Sequence, residues 1–140
     1  MSALSAAPRP LRFAGYAAVF GIPDAARDII LPGAFRETLT MRGEPLPLLW
    51  QHHPGQRIGT IERVAEDAHG LRVVARIERA DSRAARLMEA RAISGLSFGY
   101  RTRAHRNTAA GRILAAIDLV EISLVTHPLQ HGARVHLIAA

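Results

Sequence analysis

The sequence contains no cysteine and no lysine. The first absence removes disulfide scaffolds, thiolate metal sites and cysteine nucleophiles together, and it fits a reducing compartment. The second removes Schiff-base chemistry, serine–lysine dyads and the lysine-ending phosphate loop. Apolar residues are dispersed and never reach the roughly 18 uninterrupted positions that a membrane span requires. The N-terminus lacks a basic stretch followed by an apolar run and a cleavage site. These absences lead us to expect a soluble, cytoplasmic chain. Aromatic residues are few, four Phe, one Trp and two Tyr, and they do not alternate along one strand, so the stacking platform of single-strand nucleic-acid barrels is missing. Internal repeats, heptads and low-complexity tracts are missing as well.

What is present is a chain of 140 residues with a formal charge of +6, all 18 basic residues being arginine. That length suits one domain able to bury roughly 68 to 70 percent of its unfolded surface. The arginines run from Arg9 to Arg134 without gathering in one block. The charge therefore favours acidic partners in general and gives no specific nucleic-acid stripe. Residues 1–10, small and containing two prolines, are expected to form a flexible arm, leaving 11–140 as the single folded domain.

Along that domain, Leu11 to Phe20 alternates as a strand buried on much of both faces, and Gly21 to Leu31 is a loop. Ala34 to Met41 is a short amphipathic helix entered through Pro32. Leu46 to Gln51 contains Pro47, which places it at a sheet edge or makes Pro47 a strand start. It delivers His52 and His53 into a turn closed by Pro54 and Gly55. Ile58 to Val64 and Leu71 to Ile77 form a hairpin, and Asp81 caps a helix through Ala84, Leu87, Met88 and Arg91. Ala92 to Tyr100 follows as a strand, His105 to Gly111 as a polar turn, Ile113 to Val125 as a strand and Val135 to Ile138 as a last short piece. The order predicts a mainly β (α+β) fold: six or seven strands, mostly antiparallel, rolled into a barrel with peripheral helices.

Three polar residues stand out against these strands. Ser97 is bracketed by Gly95 and Gly99, where no side chain would stop another backbone from approaching, so the pair is read as substrate-binding. Glu121 lies inside an apolar strand, where a carboxylate needs a partner or a wet cleft. His52 leaves an apolar strand. A histidine near Ser97 could take its proton while Glu121 holds the imidazole tautomer. Six serines, seven histidines and twelve acids also allow other choices. His53 is either a turn residue or the base, Ser94 and Ser123 compete as nucleophiles, and small residues at a strand bend account for the glycines. No two histidines fall at the i, i+4 spacing on a predicted helix, so a zincin-type metal site is not supported.

Six segments in order resemble a known family. They are Gly15-Tyr16-Ala17-Ala18-Val19-Phe20, Ile30-Leu31-Pro32-Gly33-Ala34-Phe35, Leu48-Leu49-Trp50-Gln51-His52-His53-Pro54 with Ile58-Gly59, Gly70-Leu71, Gly95-Leu96-Ser97-Phe98-Gly99-Tyr100, and Glu121-Ile122-Ser123-Leu124-Val125 with Pro128. Over about residues 11 to 136 the chain resembles the prohead (procapsid maturation) proteases of tailed bacteriophages of the Hong Kong 97 type. The resemblance implies a fold similar to the herpesvirus assembly proteases and a serine endopeptidase without cofactor or metal. It places Ser97 as nucleophile, His52 as base and Glu121 as the third member. In relatives the position after the base is usually acidic, and here it is His53. The implied partner is the major capsid protein precursor or a scaffold protein, cleaved inside the assembling procapsid in the bacterial cytoplasm. A homodimer is compatible with this, and a specific nucleic acid or membrane is not part of it. Phage, prophage and gene transfer agent origins fit equally. The alternative is a non-catalytic capsid assembly factor that keeps the protease fold.

Overall fold

The leading strand, β1 (Leu11–Val19), is buried on much of both faces and is flanked on both edges, by the strands Gly70–Ile77 and Val135–Ala139. The structure is a computed structural model that describes residues 9–139, so the arm expected over residues 1–10 lies outside the described residues but for its last two positions. The further elements are β2 (Asp28–Ile30), α1 (Arg36–Met41), β3 (Pro47–Trp50), β4 (His53–Glu66), β5 (Gly70–Ile77), α2 (Arg83–Glu89), β6 (Gly95–Thr108), β7 (Gly111–Val125) and β8 (Val135–Ala139).

All eight strands belong to one sheet in the order β2-β7-β3-β4-β5-β1-β8, with β6 also on β7. The fold is mainly β with two short peripheral helices, as expected, and two details differ. The described residues form eight strands rather than the six or seven expected, because β2 lies within the expected loop from Gly21 to Leu31. The rolled sheet is also not closed. Between β6 and the start of β8 there is only an isolated bridge, Gly95 to Arg134, flanked by Leu96 N–H to Ala133 O at 2.9 Å and Val135 N–H to Ser94 O at 2.8 Å.

β7 organises the sheet. β6 pairs antiparallel along one of its edges, while β2 and β3 pair parallel to the two ends of the other. β3 is thus held between β7 and β4 rather than at an edge. Pro47 is tolerated because it is the first residue of the strand, and pairing with β7 begins only at Leu48. The inner face gathers Phe13, Leu48, Leu71, Leu96, Ile122 and Leu124, all at most 1 % exposed. Each contributes about 1.5–3 kcal/mol by leaving water. Phe98 continues this face and meets Phe35 edge to face, with ring centroids 5.3 Å apart.

Several local expectations are corrected. Pro54 and Gly55 lie within β4, in the register shift between the Trp50–His53 and Leu49–Arg57 pairs, where proline's missing N–H leaves no ladder bond unmade. The cap of α2 is Ser82, whose Oγ accepts from Ala85 N–H at 3.2 Å, since Asp81 is engaged by Arg79 at 3.1 Å. β6 runs on through His105 to Thr108, leaving Ala109 and Ala110 as the turn. β2 is fixed by buried Asp28, which receives two hydrogen bonds from Arg112 at 3.0 and 2.9 Å and one from Tyr100 at 3.2 Å. The approach to α1 is fixed by Glu66, whose carboxylate accepts from Gly33 N–H at 2.7 Å and Phe35 N–H at 2.8 Å.

Candidate active site

On β6, Ser97 alternates away from the core-facing Leu96 and Phe98. It is paired across the strands with Ser123 of β7, and Gly99 is paired with Glu121. Cross-strand partners point to the same face, so Ser97, Ser123 and Glu121 form a polar strip on the face of β6 and β7 opposite Leu96 and Ile122. They are 5 %, 0 % and 7 % exposed.

His52 reaches this strip through the turn after β3. Parallel pairing with β7 ends at Trp50–Leu124. Gln51 and His52 then both adopt left-handed backbone, with φ of 51° and 62°. This reverses the chain and lays the imidazole over β7. His52 Nδ1 lies 2.6 Å from Glu121 Oε1. An ionised carboxylate only accepts, so Nδ1 carries the proton and Nε2 is left as the basic nitrogen. Glu121 Oε2 accepts from Ser123 Oγ at 2.7 Å, and Ser123 Oγ in turn accepts the His52 backbone N–H at 3.1 Å. The hydrogen bond to Glu121 raises the His52 pKa above its ordinary value. Burial of the ring opposes the rise, and the carboxylate charge adds to it. The His52 side chain keeps 44 % of its exposure, so solvent screens part of this.

Of the three residues singled out from the sequence, His52 and Glu121 are in direct contact. Ser97 lies one cross-strand step away, beside Ser123, and no hydrogen bond joins it to His52. Catalytic hydrogen bonds of this kind are often long until substrate is bound. Ser97 is 5 % exposed, and its Oγ makes no hydrogen bond among the described residues. His53 is exposed at the start of β4 and makes no side-chain bond among the described residues. Ser94 lies just before β6, half-buried, and its Oγ accepts from Arg134 Nη1 at 3.3 Å. Nothing resembling a metal site, three grouped His, Asp or Glu, occurs among the described residues.

The flanking glycines make room for the chain itself. A Cβ at Gly99 would lie 2.8 Å from Glu121 Oε1, and one at Gly95 would lie 2.7 Å from Pro128 Cδ. Gly99 is therefore the floor on which the Glu121 carboxylate rests. Sequence reasoning weighed Ser123 only as a rival nucleophile. Its place beside Glu121 was available from the Glu-x-Ser spacing, which puts both on one strand face. The left-handed turn at Gln51 and His52 carries only a weak sequence signal: histidine is among the residues enriched at positive φ, but neither position is glycine.

Comparison with known proteins bears on the family and the fold. The model of a family described as caudovirus prohead serine protease matches residues 4–140. The prohead protease of Enterobacteria phage HK97 is 34% identical over 128 residues, covering 86% of this chain and 57% of that protein. The chain thus spans little more than half the length of that relative. Among solved structures, Kaposi's sarcoma-associated herpesvirus protease bound to a hexapeptide phosphonate inhibitor superposes with a TM-score of 0.60 at 16% identity, over 94% of this chain and 66% of that one. Varicella-zoster virus protease gives a TM-score of 0.61 at 15% identity, over 94% and 65%. These two likenesses concern the fold. With a match across nearly its whole length and a relative at this identity, the chain belongs to the caudovirus prohead serine protease family.

Proposed function

We propose that this chain is a serine endopeptidase of phage-type head maturation, with Ser97 as nucleophile, His52 as base and Glu121 as the residue that orients His52. The observation that carries the reading is the 2.6 Å contact between His52 Nδ1 and Glu121, because it leaves Nε2 unprotonated on the strip where Ser97 lies. Ser97 Oγ attacks the scissile carbonyl carbon as its proton passes to His52 Nε2. The tetrahedral intermediate then expels the amine, which leaves with that proton. Water attacks the acyl-enzyme by the same route, giving its proton to His52, and Ser97 is regenerated when the proton returns to Oγ. Positioned proton transfer of this kind is worth about 10²- to 10⁴-fold.

The proposed substrate-binding site is the edge of β6 that pairs with no strand among the described residues. Leu96 N–H is taken by Ala133, and alternation aims the N–H and C=O of Phe98 at the same edge, past the end of that contact. An extended peptide can add there as a strand beside Ser97. The substrate proposed is the major capsid protein precursor, or a scaffold protein, inside the assembling procapsid in the host cytoplasm. High local concentration there allows weak intrinsic affinity. No helix of the described residues is long and apolar enough to cross a membrane.

The test is co-expression with a major capsid protein precursor of an HK97-type phage, reading intact masses of the capsid protein. Wild type is expected to shorten it at one site and Ser97→Ala to leave it whole. Cleavage by both would refute the nucleophile. Cleavage by neither, with shells still assembling, would favour the assembly-factor reading.

A further inference from the structure

We infer that Ser123 is a positioning residue for the reaction proposed above, on which this inference rests: its hydroxyl ties the backbone of the base to the carboxylate that orients it. Ser123 Oγ has one proton, given to Glu121 Oε2 at 2.7 Å, and its lone pairs receive the His52 N–H at 3.1 Å. Both contacts sit at a residue with 0 % exposure, so water cannot replace either. This rules Ser123 out as the attacking group, since its proton already belongs to a carboxylate and its oxygen is closed off.

The tie is needed because the base sits on an unfavourable turn. Two consecutive non-glycine residues at φ of 51° and 62° occupy a region that such residues hold only when their surroundings over-determine it. β7 and Thr126, the residue after it, supply the restraints in series. Leu124 O accepts Gln51 N–H at 3.0 Å, the Gln51 amide exchanges hydrogen bonds with Thr126 Oγ1 at 2.6 Å and Thr126 N–H at 3.0 Å, and Ser123 takes the N–H of His52 itself. Of these, Ser123 alone also touches Glu121. One hydroxyl therefore sets where the imidazole starts, through the backbone, and where its Nδ1 must point, through the carboxylate. Side-chain amide and hydroxyl at Gln51 and Thr126 clamp the same turn from the solvent side without touching the carboxylate.

The test is the rate of inactivation by a small fluorophosphonate probe, which needs the nucleophile and base but no knowledge of the cleavage sequence. Ser97 Oγ attacks phosphorus, fluoride leaves and the proton goes to His52. In Ser123→Ala the label is expected still to map to Ser97, with the maximal inactivation rate reduced about tenfold to a hundredfold, the scale of an ångström-sized misplacement, and half-saturation unchanged. Gln51→Ala, at a more exposed position, is expected to lower the same rate by a smaller factor, and it keeps the inference testable if Ser123→Ala does not fold. Glu121→Gln combined with Ser123→Ala is expected to be little slower than the slower of the two single variants, because both act through one imidazole. An unchanged rate in Ser123→Ala, or fully multiplicative losses in the double variant, would overturn the positioning role while leaving the protease reading intact. A label carried by Ser123 in wild type, and lost in Ser123→Ala with the fold retained, would instead make Ser123 the nucleophile. Absence of any Ser97 labelling in wild type would take the protease reading down together with this inference.

Discussion

Replacing Gly99 with alanine adds one methyl group two residues from the nucleophile, and the geometry says where it goes. The new Cβ would stand 2.8 Å from Glu121 Oε1 and 3.0 Å from both Cδ and Cγ, where ordinary contact begins near 3.4 Å. A flexible carboxylate could normally swing aside. Here it is held at both oxygens, by His52 at 2.6 Å and Ser123 at 2.7 Å, so several tenths of an ångström must come from one of those bonds. Overpacking of this size costs about 1–3 kcal/mol. If that cost falls on the His52 contact, kcat/KM drops by a factor between about 5 and about 160, since each 1.36 kcal/mol is a factor of ten. The assay is fluorophosphonate inactivation as a function of pH, with thermal melting to confirm the fold. The rate should fall and the midpoint of the pH profile should move down, because the bond that raises the His52 pKa is weakened. Gly43→Ala is the control, since nothing lies within 4 Å of that Cβ, and it should leave the rate unchanged. A Gly99→Ala enzyme with wild-type rate and pH midpoint would refute the claim that the carboxylate rests on Gly99.

Three further outcomes are expected. The wild-type inactivation rate should rise with pH through a midpoint above the ordinary histidine value, because only neutral His52 accepts a proton, and Glu121→Gln should bring that midpoint to or below the ordinary value, since burial alone then acts on the ring. Asp28→Ala should cost about 3 kcal/mol, the low end for breaking a buried pair because Arg112 is partly exposed, read as a fall in Tm. Asp28 has its pKa lowered chiefly by the Arg112 hydrogen bond, so its contribution is present above the unfolded-state carboxylate range near pH 4 and is lost as pH falls through the lower folded value; Asp28→Asn should accordingly flatten the acid limb of stability against pH.

The sequence and the structure agree where side-chain periodicity governs. Leu96 and Phe98 alternate with Ser97 and Gly99 in the sequence, and the same alternation divides core from site in β6. Glu121 was conspicuous because a carboxylate within an apolar strand needs a partner, and it has two, His52 and Ser123. What periodicity cannot carry is pairing between distant segments. The parallel placement of β3 on β7 depends on contacts some seventy residues apart in sequence, so β3 was left open between a sheet edge and a strand start. β2 is only three residues long and exists through Asp28 meeting Arg112, which no local pattern announces. The glycines illustrate the same limit. Their smallness was legible, but whether the space is given to an incoming peptide or to the chain's own Glu121 and Pro128 depends on the tertiary fold.

The most direct measurement is the site at which a fluorophosphonate attaches to the wild-type chain, found by intact mass and peptide mapping, with His52→Ala alongside. The account predicts a single adduct on Ser97, formed far more slowly when His52 is replaced. An adduct on Ser94 or Ser123, or equal labelling without His52, would contradict it.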